Sequence, residues 1–351
     1  MAATSPDGLQ PDLLSPPQGP GTAGLATFRS PKWLPGGNLQ TIWAARVAVA
    51  HQGPAPVFRR ERWDTSDGDF IDVDFAFESA AQPGPADPPQ PLLVLFHGLE
   101  GSSTGHYSLA VADEARRRGW AYAVPHFRGC SGELNLAPRA YHSGDFEEIG
   151  WILARLRARA QAPLWVVGIS LGGNALMRWA AEAGASAAAL ARAVVSVCSP
   201  LDLAAAGEAI DSGFNRLVYA RMFLATMKPK ALAKLAQHPG LFDGQRLHQA
   251  RTLWEFDDVF TGPLHGFAGT QDYWGRASAL PHLPRICVPA LAVNARNDPF
   301  IPAHSLPRPG QTGQVELWQP AHGGHVGFAH GAPPGHLRSM PRAVLDWLAR
   351  H

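Results

Sequence analysis

A serine hydroxyl is a poor nucleophile until a base takes its proton, so its value depends on its setting. Gly168-Ile169-Ser170-Leu171-Gly172 fits the pattern G-x-S-x-G. With 36 glycines in 351 residues, both flanking glycines arise by chance at about one serine in a hundred, so the string needs context. An apolar run at 164–167 feeds into it, and Ala175, Leu176, Trp179 and Ala180 follow at helical spacing. This predicts strand, tight turn and helix. Side chains at 168 and 172 would collide in such a turn. The serine is expected to be strained, hydroxyl outward, at a helix N-terminus whose dipole favours developing negative charge. The plainer reading is a glycine-rich turn with an N-capping serine; the setting favours the nucleophile.

The partners should follow later strands, in the order acid then histidine. Asp298 is the only carboxylate of 294–302, the segment after the apolar run 290–293; its alternative is a turn-forming Asp before Pro. After the run 315–318 comes His322-Gly323-Gly324-His325-Val326-Gly327-Phe328-Ala329-His330. His325, after two glycines and before Val-Gly-Phe, is the expected base. His322 is expected to position the loop and His330 to lie at the surface. The spacing H-x-x-H also suits a metal, but no nearby cysteine or carboxylate cluster completes a shell, so neither metal nor cofactor is expected.

Two backbone N–H groups should receive the oxyanion: Leu171, after the nucleophile, and Leu99, in the loop 97–103 after the apolar run 92–96. His97 is read as a brace for that loop. Cys130 and Ser131 lack a strand–turn–helix setting and are not expected to attack anything. Arg128 should anchor a carboxylate, and Ser143 could cap the following helix.

These groups need a scaffold. Residues 59–64 and 69–77 alternate apolar and polar around a turn at 65–68, which predicts an antiparallel hairpin. Continuous apolar runs at 92–96, 121–124, 164–167, 193–197 and 290–293 suit strands buried on both faces. Helical patterns near 106–118, 143–158, 171–184 and 336–350 alternate with them. The expectation is a mostly parallel α/β sheet with helices on both faces and the hairpin at one edge. Residues 1–27 are rich in Pro, Gly and Ser and are expected to form a flexible tail before a single domain, 28–351. Residues 200–284, with helical patterns at 201–212, 214–226 and 228–236, are expected to be a cap over the sheet's carboxyl ends.

Composition narrows the partners. Hydrophobic residues make up 46% and charged residues 17%, and the net charge is +1. That gives no general reason to expect nucleic acid. Three cysteines are too few for a disulfide scaffold, no signal peptide is evident, and a cytoplasmic protein with reduced thiols is expected.

Together the motifs resemble the YheT-like branch of the α/β-hydrolase superfamily, similar to yeast medium-chain ethanol acyltransferase/esterases and animal α/β-hydrolase-domain lipases. The residues that carry the likeness include Leu39-Gln40-Thr41, His97-Gly98, 127–132, 141–144, 168–174, 256–258, 265–267, Asp298-Pro299-Phe300 and 322–328. Two positions depart from the family's habit: Asn38 stands where His is frequent, and Asn297 where a second Asp is frequent. The resemblance implies an α/β-hydrolase fold, a triad of Ser170, Asp298 and His325, and hydrolysis of carboxylic esters, with transfer to an alcohol as the alternative; esters with short to medium acyl chains are the expected substrates, and a non-catalytic binding module on the same scaffold is a third reading. It implies no role for Leu39-Gln40-Thr41.

The segment 213–237 carries Phe214, Leu217, Val218, Met222 and Phe223 at helical spacing, then Lys228, Lys230 and Lys234. It reads as a cap helix with a solvated basic side; the alternative is a peripheral contact with anionic membrane. The aromatics between Trp254 and Trp274 could line an acyl pocket or form the cap's own core. His265, Asp257 and Asp258 are expected to tie the cap to the sheet.

Overall fold

The computed structural model describes residues 24–78, 89–160 and 164–351. Most of the expected tail, and residues 82–88 of a Pro-rich stretch, lie outside the described residues. Leu25 is already buried in the core.

The first helix, α1 (Gly37–Arg46), precedes the hairpin β1 (Arg59–Asp64) and β2 (Phe70–Ala76). There follow β3 (Leu92–Phe96), α2 (His106–Arg117), β4 (Ala121–Pro125), α3 (Phe146–Arg159), β5 (Leu164–Ile169), α4 (Leu171–Ala183) and β6 (Ala191–Val197). The chain closes with β7 (Ala290–Val293), β8 (Glu316–Trp318) and α12 (Ser339–Leu348). The sheet order is β1-β2-β4-β3-β5-β6-β7-β8. β1 pairs antiparallel with β2, and β2 with β4; the other pairs are parallel. The central strands are buried along their length, because helices cover both faces. Ile149, Ile152 and Leu156 of α3 and Leu176 of α4 pack on one face. Val111 and Ala115 of α2 and Val344 and Leu348 of α12 pack on the other.

Between β6 and β7 run α5 (Leu203–Ile210), α6 (Gly213–Asn215), α7 (Arg221–Gln237), α8 (Gly244–Gln249), α9 (Leu253–Phe256), α10 (Gly262–Leu264) and α11 (Thr270–Ala277). They share a core of Leu224, Leu247, Phe256, Tyr273 and Trp274. Where the sequence separates helical patterns at 214–226 and 228–236, α7 runs straight through the gap and through Pro229. A proline removes one helical hydrogen bond, and burial of Leu224 and Ala231 on either side keeps the helix whole. The helix α3 begins after Asp145, not Ser143. Ser143 is instead held by Asn174, whose Nδ2 donates to its carbonyl at 2.8 Å. Among the described residues no helix is long and apolar enough to cross a membrane.

Candidate active site

Ser170 stands between β5 and α4 with φ 51° and ψ −120°, a conformation that costs an L-residue of order 1–3 kcal/mol. The neighbouring glycines allow it. A Cβ at Gly172 would lie 2.4 Å from the His97 carbonyl oxygen, and one at Gly173 would lie 1.9 Å from Ser199 Oγ. The turn is therefore fitted against β3 and the loop after β6. Asn174, buried one turn into α4, fastens it from behind. Its Nδ2 donates to Ser143 O and Ala277 O, each at 2.8 Å, and its Oδ1 accepts from Ala279 N at 2.9 Å.

The structure brings Ser170, Asp298 and His325 together. His325 Nε2 lies 3.0 Å from Ser170 Oγ, and its Nδ1 lies 2.8 Å from Asp298 Oδ2. A carboxylate can only accept, so Nδ1 carries the ring proton and Nε2 faces the serine as a base. Asp298 is buried, and its other oxygen accepts from Phe300 N at 2.8 Å. The Phe300 ring lies 4.3 Å from the imidazole, centroid to centroid. Such an arrangement can draw the proton from a hydroxyl and stabilise the imidazolium that results.

Leu99 and Leu171 line the cleft at Ser170. Tyr107 Oη accepts from Gly98 N and Tyr141 Oη from Glu100 N, each at 3.0 Å. Among the described residues, the N–H groups of Leu99 and Leu171 have no protein acceptor. Donors without a protein acceptor beside a nucleophile could receive a developing oxyanion. His97 braces this loop: its Nε2 accepts from Phe127 N at 3.1 Å while Nδ1 donates to Gly98 O at 2.8 Å. Burial lowers its pKa to about 3, so it is neutral. Arg128 anchors Asp69 at 2.7 Å and Glu148 at 2.5 Å. Burial pushes the Cys130 thiol up to about 12, where it is no nucleophile. His330 is exposed; His322 Nδ1 is buried and has no hydrogen-bond partner among the described residues. Among the described residues, the one group of three candidate metal ligands is Cys198 with Asp298 and His325. Those last two already bond to each other, and burial holds the Cys198 thiol well above its ordinary pKa.

The cleft has a volume of about 1110 Å³, part of it open to solvent. It runs from Ser170 under the helices 203–277, past Leu203, Met227, Phe256, Phe260 and Trp274. Trp254 is instead half-exposed. Asp257 also lines the cleft; its carboxylate accepts from Thr261 Oγ1 at 2.6 Å and Trp274 Nε1 at 2.8 Å. These bonds stay among the helices, whereas His265 does cross to the sheet side, at Ala140 O, 2.9 Å away. Burial raises the Asp257 carboxyl to about 7.

The three lysines differ in setting: Lys228 and Lys230 are half-buried, and Lys234 is buried. Lys228 donates to His248 O and Ala250 O. Lys230 pairs with Glu100 at 2.9 Å. Lys234 is buried and donates to the carbonyls of Asn135 and Ala137 and to Gln237. All three amines are turned onto carbonyls or a carboxylate, because the loops they meet present unsatisfied acceptors.

The residues that sequence reasoning left without a task sit behind His325. Gln40 Oε1 accepts from Gly323 N at 2.9 Å, Asn297 Oδ1 from Gly324 N at 3.0 Å, and Thr41 Oγ1 from His325 N at 2.8 Å. Asn38, at the departure from the family pattern, accepts from Tyr219 Oη at 3.0 Å.

A family model described as alpha/beta hydrolase fold matches residues 91–332. A protein of Escherichia coli (strain K12), provisionally named as the esterase YheT, is 39% identical over 295 residues, 83% of this chain and 84% of its own. Human phospholipase ABHD3 is 27% identical over 92% of this chain and 78% of its own. Mouse monoacylglycerol lipase ABHD2 is 27% identical over 90% and 77%. Among solved structures, Pyrococcus horikoshii acylaminoacyl peptidase superposes with a TM-score of 0.52 at 15% identity, over 85% of this chain and 42% of the peptidase. Est1E from Butyrivibrio proteoclasticus with bound ferulic acid gives 0.50 at 15% identity, over 83% of this chain and 98% of its own. At such identities the structural likeness is one of fold.

Proposed function

The chain belongs to the α/β-hydrolase family, in its YheT-like branch, and on that premise we propose that it is a serine hydrolase of carboxylic esters with short to medium acyl chains. One observation carries the reading: a single imidazole hydrogen-bonded to both a buried carboxylate and the hydroxyl of a strained serine. The names of its relatives, esterase, phospholipase and monoacylglycerol lipase, agree in ester chemistry.

His325 Nε2 takes the Ser170 proton as Oγ attacks the ester carbonyl. The oxyanion of the tetrahedral intermediate accepts from the N–H groups of Leu99 and Leu171, each worth about 3–4 kcal/mol in the transition state. Asp298 stabilises the imidazolium. The C–O bond breaks, the alcohol leaves with the proton from Nε2, and an acyl-enzyme remains. Water, deprotonated by the same nitrogen, then releases the acid and restores the serine. The acyl chain lies along Met227, Phe256 and Phe260 beneath the helices 203–277, which act as the cap.

A fluorophosphonate should label the protein once, on Ser170. In Ser170→Ala both labelling and turnover of nitrophenyl esters should vanish, a loss of about 10⁴-fold or more. Label retained by that variant would refute the nucleophile. Titration of ethanol into the assay separates hydrolysis from acyl transfer by the ratio of acid to ester.

A further inference from the structure

The segment Leu39-Gln40-Thr41 has no contact with the cleft, yet it meets the loop that carries His325. Three successive N–H groups, those of Gly323, Gly324 and His325, are taken by three side chains: Gln40, Asn297 and Thr41. Two of these come from α1, more than 280 residues away in sequence. The third stands one residue before Asp298.

Each acceptor is itself held. Gln40 Nε2 donates to Leu34 O at 2.9 Å, which turns its oxygen towards Gly323. That oxygen also accepts from Asn297 Nδ2 at 2.9 Å, which in turn aims Asn297 Oδ1 at Gly324. The single proton of Thr41 Oγ1 goes to Gly37 O at 2.8 Å, leaving a lone pair for His325 N. Gln40 and Thr41 are both buried, so water does not compete for these bonds.

Packing adds to the bonding. A Cβ at Gly37 would lie 1.8 Å from Asn297 O, and one at Gly324 would lie 2.8 Å from Gly37 O and 2.9 Å from Thr41 N. The helix, the Asp298 loop and the His325 loop thus touch without room for a methyl group. The histidine loop also needs external support. Val326 and Phe328 adopt φ of 54° and 49°, in the left-handed region that L-residues with branched or bulky side chains avoid.

We propose that Gln40 and Thr41, with Asn297, are positioning residues that set the reach of His325 to Ser170 by gripping the backbone at 323–325. This rests on the reading of His325 as the base. It assigns a task to the Leu39-Gln40-Thr41 motif. In this chain Asn297 both donates to Gln40 and accepts from Gly324, where a carboxylate could do only the second.

The test compares Thr41→Val, which keeps the shape and removes the acceptor, with Thr41→Ser, which keeps the acceptor, and adds Gln40→Met as the second loss. Thr41→Val should lower kcat on nitrophenyl butyrate about tenfold to a hundredfold, as misplacement of a base does. KM should stay within about twofold, because these residues do not touch the cleft. The rate of fluorophosphonate labelling should fall in parallel, and Thr41→Ser should restore most of both. Titration of labelled sites separates a slow folded enzyme from an unfolded fraction. The NMR resonance of the His325 Nδ1 proton, sharp in the parent, should broaden in Thr41→Val and Gln40→Met. Wild-type kcat in folded Thr41→Val and Gln40→Met overturns the proposal. So do equal losses in Thr41→Val and Thr41→Ser, which would mark a merely structural residue. If the parent protein itself takes no label at Ser170, the esterase reading is what fails. The Nδ1 resonance then decides alone whether α1 holds the ring: an unchanged line in both variants rejects it.

Discussion

On one side of the cleft stands Ser170, with His325 and then Asp298 hydrogen-bonded behind it, all three on turns beyond the carboxyl ends of β5, β7 and β8. On the other, Met227, Phe256, Asp257 and Trp274 project from the helices 203–277. The first wall is fixed by backbone. Its turns carry left-handed non-glycine residues at 170, 326 and 328, and its glycines stand where a Cβ would overlap the next segment. The second wall is fixed by side chains: aromatic rings in mutual contact, and polar groups sunk among them with one or two bonds each. Backbone geometry tolerates little displacement, whereas side-chain packing can shift by rotamer changes. The first wall suits chemistry that fails when a base moves by an ångström. The second suits the choice of acyl group. Substitutions in the first should therefore lower kcat at constant KM, and substitutions in the second should change chain-length preference at nearly constant kcat for the shortest ester.

Asp298→Asn should give the largest effect among the positions that flank the serine. The asparagine oxygen can still accept from Phe300 N, which leaves its amide to face Nδ1 of His325. An N–H there forces the ring proton onto Nε2, where it confronts the serine hydroxyl with a donor instead of a base. A wrong tautomer of this kind costs about 10⁴-fold in kcat. KM should hold within a few-fold. A loss below tenfold would place the acid elsewhere and dissolve the contrast between the walls.

The helical wall should respond differently. Met227 is half-buried, lines the cleft and belongs to α7. Met227→Trp inserts a ring where an acyl chain would lie. A methylene gained or lost in an apolar pocket is worth about tenfold or more in discrimination, so the ratio of kcat/KM for octanoyl over acetyl esters should fall by about that much. Acetyl turnover should be preserved. Equal loss on both esters would show that α7 shapes the reacting end of the cleft as well.

The two walls also differed in how far the sequence revealed them. The strands are continuous apolar runs between turn residues, and burial on both faces of a parallel sheet produces that signal and little else. Ser170 and its glycines were legible because the turn's sterics restrict residue type. The helix α1 was not legible, since its polarity is inverted: Gln40 and Thr41 are buried while Leu39 and Ile42 are about 40% exposed. A periodicity argument assigns apolar residues to the interior, and here the interior consists of backbone N–H groups that need acceptors. Lys234 misled for the same reason. A lysine in a basic run reads as solvated, and only the fold shows that the carbonyls of Asn135 and Ala137 lie within its reach. Tertiary acceptors leave no local mark in a chain.

Asp257 offers the finest test of the contrast, because it is a titratable group on the wall that should govern binding. Burial raises its carboxyl to about 7, against 3.8 in the open, with Asp211 adding to the rise and the bonds from Thr261 and Trp274 opposing it. Below that pH the wall is uncharged at this point; above it a carboxylate would face an acyl chain placed along this wall. KM for an octanoyl ester should therefore rise about threefold to tenfold between pH 6 and pH 8.5, as for a charge left poorly solvated beside an apolar group. KM for the acetyl ester should stay level, and Asp257→Asn should flatten the octanoyl profile. Stability carries the same sign. A raised pKa contributes stability that is full below about 3.8 and is lost as pH rises to about 7, so Asp257→Asn should gain more in Tm over the parent at pH 8 than at pH 5. A profile in which kcat follows this carboxyl while KM does not would move Asp257 from the binding wall to the reacting one.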